Sequence, residues 1–80
     1  MSYINQNVQV DAFYFLSSWG KLKSFPKQID LNNQKFIFND GLQYLVKNGQ
    51  RVIQIFDMTD GEKTYRLHHE NNQWLLVGTK

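Results

Sequence analysis

The run SSWGKLKSFPKQ at 17–28 places Trp19, Lys21, Lys23, Phe25, Pro26 and Lys27 within nine positions. Aromatics alternate with cations there. Single-stranded nucleic acid binding needs this composition, since every base offers a π-face and every linkage a negative charge. The charge distribution points the same way: residues 1–39 hold four lysines against two acids, and residues 40–80 hold five cations against five acids. Three phosphate contacts would change affinity by roughly fortyfold between 50 and 200 mM salt, so binding through this patch alone is weak. Nor is there a Gly-x-x-Gly clamp or an arginine-rich helix pattern beside it. The plainer reading is a solvated loop that Trp19 and Phe25 anchor to the core.

His68, His69 and Glu70, with Asp57, are the residues from which a metal centre or an acid–base pair would be built. On a strand, however, neighbouring side chains point to opposite faces, so His68 and His69 do not converge on one ion. The chain has only two histidines and no cysteine, whereas metal sites draw on three or four ligands. No metal or cofactor is expected. For nucleophilic catalysis Ser17, Ser18, Ser24, Thr59 and Thr64 supply hydroxyls, but none lies in a Gly-x-Ser-x-Gly elbow or a phosphate-binding glycine loop. Asp57, Asp60 and Glu62 read as turn formers and solvated charges at a hairpin end. The expectation is a chain that is not an enzyme.

Three asparagine or aspartate pairs carry the chemistry of a tight reversal: Asn32-Asn33, Asp60-Gly61 and Asn71-Asn72. A two-residue loop at Asn32-Asn33 sets Asp30 against Lys35 and Ile29 against Phe36. One face of that hairpin, 27–38, then carries Ile29, Leu31, Phe36 and Phe38. A two-residue loop at Asp60-Gly61 sets Phe56 against Tyr65 and Ile55 against Arg66. A third at Asn71-Asn72 sets His69 against Trp74 and Leu67 against Leu76. Residues 51–77 therefore read as a three-stranded antiparallel meander, with His69 packed against Trp74.

Two segments remain open. From 11 to 19, Asp11 can cap a helix that aligns Ala12, Phe15, Leu16 and Trp19, with Gly20 as its stop. Phe13, Tyr14 and Phe15 favour a strand instead. From 40 to 48, Leu42, Leu45 and Val46 fall on a helical stripe, and the rival is a hairpin closed at Asn48-Gly49. Short helices near 11–19 and 40–48 over an antiparallel sheet give an α+β fold. If both segments are strands, the alternative is a small all-β barrel or roll that covers its own faces.

Eighty residues with twelve aromatics allow one small globular core over 1–80, with residues 1–7 expected to fray. The longest apolar run, Ala12–Leu16, is far short of a bilayer span, and the first ten residues have no secretory character. With a net charge of only +2, the default is a cytoplasmic protein without a membrane partner. What size and elimination leave is a small non-catalytic binding or regulatory module that acts through protein–protein contact or self-association. The exposed members of Trp19, Phe25 and Tyr44 would mark its surface. The alternative is the weak nucleic-acid or polyanion patch of Trp19, Lys21, Lys23, Phe25 and Lys27.

Overall fold

The computed structural model describes residues 1–80, the side chain of Ser18 apart. Seven strands account for 80% of the chain: β1 (Ser2–Ser18), β2 (Lys21–Leu31), β3 (Gln34–Ile37), β4 (Asp40–Asn48), β5 (Arg51–Thr59), β6 (Thr64–Glu70) and β7 (Gln73–Thr79). They form one antiparallel sheet in the order β3-β2-β1-β7-β6-β5-β4, curled into a half-barrel. This overturns the α+β expectation with its helices at 11–19 and 40–48, and matches the all-β alternative. Local pairing decides the outcome. Trp19 and Gly20, with φ of 53° and 74°, form a hairpin turn that ladders Phe13–Ser18 onto Lys21–Pro26. The β preference of Phe13, Tyr14 and Phe15 is thus satisfied, and the glycine read as a helix stop closes a hairpin. At 40–48, Asn48 pairs with Arg51 and only Gly49 has positive φ, the pattern of a type II′ turn one residue beyond the expected Asn48-Gly49.

Asn32-Asn33 and Asn71-Asn72 form the expected loops, both residues of each pair at positive φ. Ile29 faces Phe36, Asp30 faces Lys35, His69 faces Trp74 and Leu67 faces Leu76. The Asp60-Gly61 loop differs. Thr59 pairs with Thr64, so the loop has four residues, and Phe56 faces Leu67 rather than Tyr65. The cause is local: the Asp60 carboxylate accepts from the Glu62 and Lys63 N–H groups at 2.9 and 2.8 Å, and the Asp60 N–H donates to the Lys63 carbonyl at 3.3 Å. A slip of two residues keeps every side chain on its face, so Val52, Phe56, Tyr65 and Leu67 share a face as an alternating pattern requires; the last three are buried and Val52 is exposed.

Two segments change partners and so fold the sheet over. In β1, Ser2–Val8 ladders with β7, while Gln9–Ser18 ladders with β2 after register shifts around Ala12. Within residues 1–7, expected to fray, Ser2, Tyr3, Gln6 and Asn7 pair with β7. Residues 34–48 do the same: β3 pairs with β2, the Phe38 N–H donates to the Lys27 carbonyl at 2.8 Å, the Asn39 N–H donates to the Thr59 carbonyl at 2.9 Å, and β4 continues along β5. Between the two halves lie Phe25, Ile29, Phe38, Phe56, Met58, Tyr65, Leu67 and Leu76, all buried. Pro26 sits where β3 no longer covers β2, so its missing N–H breaks no ladder on that side.

Gly41 faces Met58, which is fully buried, and an added Cβ would run into the Met58 thioether and the Asp57 carbonyl. Gly41→Ala should therefore cost about 1–3 kcal/mol through overpacking. Urea denaturation should show a lower midpoint with an unchanged slope.

Candidate functional site

β7 ladders with β1 only as far as Val8, and β6 ladders with β5 only from Gln54. The outer parts of two hairpins therefore project beyond the Asn71-Asn72 turn. One is the β1–β2 arm with Trp19 at its tip, the other the β4–β5 arm with Gly49 at its tip. The expected patch at 19–27 lies on the first and divides in two. Trp19 is 99% exposed, and Lys21 and Lys23 are also on the surface. Phe25 is buried, stacked on Tyr14 at 5.2 Å between ring centroids and edge-on to Phe56 at 6.1 Å. Lys27 donates to the Phe38 carbonyl at 2.8 Å and lies 5.8 Å from the Tyr14 ring centre, bracing the corner where residues 34–48 change partners. Three of the five residues thus share the surface, and the other two support the core.

Strand alternation gives the arm two distinct faces. Phe13, Phe15 and Leu22 belong to one, and Leu16, Lys21 and Lys23 to the other. Phe13, Phe15, Leu16 and Leu22 are all exposed. The β4–β5 hairpin was foreshadowed only by Tyr44: Leu42, Tyr44, Leu45, Val46 and Val52 are exposed along it, Val46 and Val52 on its projecting part. Its sequence signal is the uncharged stretch 41–46 running up to a glycine turn. Read as a helix, that stretch hides its exposure on both faces of a strand.

The two carboxylates that suggested chemistry, Asp57 and Glu70, are each engaged by an arginine. Arg66 donates from Nε and Nη2 to the two Asp57 carboxylate oxygens, each at 2.8 Å. Its Nη2 also donates to the Tyr44 hydroxyl, which donates in turn to Asp57, both at 2.8 Å. The guanidinium holds the Asp57 carboxyl below the usual carboxylate range, and burial together with Asp57 pushes the Tyr44 phenol up. A second bidentate pair joins Arg51 to Glu70 at 2.8 and 2.7 Å. Asp57 is therefore a mid-strand partner of Arg66 rather than a turn former, which follows from the two-residue slip. These two pairs order the outer face of the sheet, with Asp57 and Glu70 each held by a guanidinium.

The two histidines part as strand geometry requires. His69 stacks on Trp74 at 4.2 Å with an 11° interplanar angle, and its Nδ1 lies 2.7 Å from the Gln54 carbonyl oxygen, so the neutral ring carries its proton on Nδ1. His68 lies on the opposite face, paired with Ile55 and Leu75. Among the described residues no three His, Asp or Glu side chains are grouped to hold a metal ion, and no hydroxyl bonds to either imidazole. A depression of about 340 Å³, open to solvent, lies where β1 leaves β7 and is lined by Val8, Val10, Asn72 and Trp74. Comparison with protein-family models, curated proteins and solved structures finds no match.

Burial pushes both imidazoles below their ordinary value, and the charge of Arg66 adds to this at His68. A histidine whose folded pKa is depressed stabilises the fold fully above its unfolded value of about 6.5, and that contribution is lost as pH falls toward the folded one. Tm should be flat between about pH 7 and about pH 9 and fall on acidification toward pH 5. In His68→Gln with His69→Gln the fall over that range should largely vanish; an equal fall in the double variant would show that other groups carry it.

Proposed function

We propose that this chain is a non-catalytic binding module acting through protein–protein contact, with the β1–β2 arm as its contact surface. One observation carries the reading. Ten of the fourteen exposed large hydrophobic side chains among the described residues sit on the β1–β2 arm and the β4–β5 hairpin, and Trp19 stands at the tip of the first, nearly free of the fold. Exposed apolar surface concentrated in this way favours a partner over water, and tryptophan is among the residues most enriched where binding energy concentrates. The engaged state of Asp57, Arg66, Arg51 and Glu70 supports a binding role over a catalytic one.

The nucleic-acid alternative keeps Trp19, Lys21 and Lys23 and loses Lys27 to the Phe38 carbonyl. Two phosphate contacts on a single strand change affinity by only roughly sevenfold between 50 and 200 mM salt, less than the three-cation patch would. The same arm supplies more apolar contact than charge, which favours a protein partner.

The test uses immobilised chain exposed to an extract of the cell that produces it. A protein retained by the unaltered chain should be lost with Trp19→Gly plus Leu22→Ser. Glycine preserves the turn at position 19, so far-UV circular dichroism and Tm should hold. Equal retention by the two chains would overturn the reading.

A further inference from the structure

We propose that the outer edge of β4 pairs antiparallel with the same edge of a second copy of this chain, about a two-fold axis passing between the two Tyr44 residues. This rests on reading the chain as a protein-contact module, and uses a different surface from the β1–β2 arm.

The sheet has two edges, and they are unequal. β3 is four residues long, and its Lys35 is tied to Asp30 and Asp11 at 3.3 and 3.1 Å. β4 runs for nine residues without proline, and its only charges, Asp40 and Lys47, lie near its ends. Proteins usually blunt such an edge with charge, proline or a covering element. None of these protects the middle of β4. Leu42 on its outer face is 69% exposed and Leu45 on its inner face 62%, so nothing overhangs the strand from either side.

The backbone is set for pairing. Asn48 and Arg51 close a two-residue loop, so alternate residues from Asn48 back to Leu42 bond into β5, and the N–H and C=O groups of Gly41, Gln43, Leu45 and Lys47 point outward. The Gly41 N–H confirms this phase, for it donates to the Asp40 carboxylate at 2.8 Å rather than to β5.

The side chains favour a second copy over a foreign strand, because the segment is self-complementary about Tyr44. Reversed on itself with Tyr44 opposite Tyr44, it sets Leu42 against Val46 on the outer face, apolar against apolar on both sides of the axis, and Gln43 against Leu45 on the inner face. Asp40 then meets Asn48, and Lys47 meets Gly41, which has no side chain to obstruct it; no like charges oppose. Moving the centre to Leu45 would set Leu42 against Asn48. Moving it to Gln43 would set Asp40 against Val46. A two-fold contact of this kind is isologous and closes at the dimer.

The chain lacks cysteine, so Tyr44→Cys introduces its sole thiol. Directly opposed residues of a non-hydrogen-bonded antiparallel pair lie about 4.5 Å apart between Cα atoms, within disulfide reach. Mild oxidation should give a disulfide-linked dimer with Tyr44→Cys and none with Leu42→Cys, whose thiols lie at opposite ends of the paired region. Since Tyr44→Cys also removes a bond to Asp57, sedimentation of cysteine-free chains provides a second measurement. The unaltered chain should dimerise at high micromolar concentration, and Leu45→Pro, which deletes an outward N–H and no β5 bond, should be monomeric with Tm nearly unchanged. A monomeric unaltered chain, or equal cross-linking by the two cysteine variants, would overturn the proposal. Retention of an extract protein through Trp19 alongside a monomeric chain would sink the β4 pairing alone. A β4-linked dimer that retains nothing would sink the arm reading alone.

Discussion

The change of partner at Phe38–Asn39 governs this fold. One strand cannot lie flat against both β2 and β5, so residues 34–48 turn the sheet over as they pass from one neighbour to the other. Phe38 marks the turning point, with its backbone held to Lys27 and its ring fully buried against Tyr65 at 5.2 Å. β1 performs the matching switch on the other flank, where register shifts bend it from β7 to β2. Two such switches let a chain of this length enclose aromatic rings without a helix to cover them. Helices at 11–19 and 40–48 would have removed strand from both flanks.

The turns were the most legible part of the sequence. Asn32-Asn33 and Asn71-Asn72 gave the observed registers because asparagine tolerates left-handed backbone and a two-residue loop fixes pairing geometrically. Asp60-Gly61 misled, since the same aspartate can cap a wider loop through its side chain, and sequence does not rank those two uses. The helical readings failed because an apolar spacing of three and four also arises when a strand is apolar on both faces, as β4 is with Leu42, Leu45 and Val46. Exposure on both sides is the property that sequence periodicity cannot distinguish from a helical stripe.

The candidate patch shows a related limit. Trp19, Lys21, Lys23, Phe25 and Lys27 look uniform as a string, yet their fates diverge with distance from the hairpin tip. Near the tip the residues stay on the surface; nearer the body of the sheet they serve the core, Phe25 through its ring stacked on Tyr14 and edge-on to Phe56, and Lys27 through its ammonium on the Phe38 carbonyl. Those contacts come from other strands, so the string alone does not show them. The ion pairs of the outer face were hidden for the same reason, since Asp57 meets Arg66 only in the register that the wider loop imposes.

Of the six non-glycine residues with positive φ, five are asparagine: Asn5, Asn32, Asn33, Asn71 and Asn72. The sixth is Trp19. Left-handed backbone costs most side chains roughly 1–2 kcal/mol, a penalty that asparagine offsets through local hydrogen bonds and an indole does not. Elsewhere the chain resolves this conformational problem with a small amide; at one bend it retains its bulkiest side chain, almost wholly in water. On conformational grounds alone the amide would suit that bend too, and an indole so nearly surrounded by water makes almost no contact within the monomer that offsets the cost.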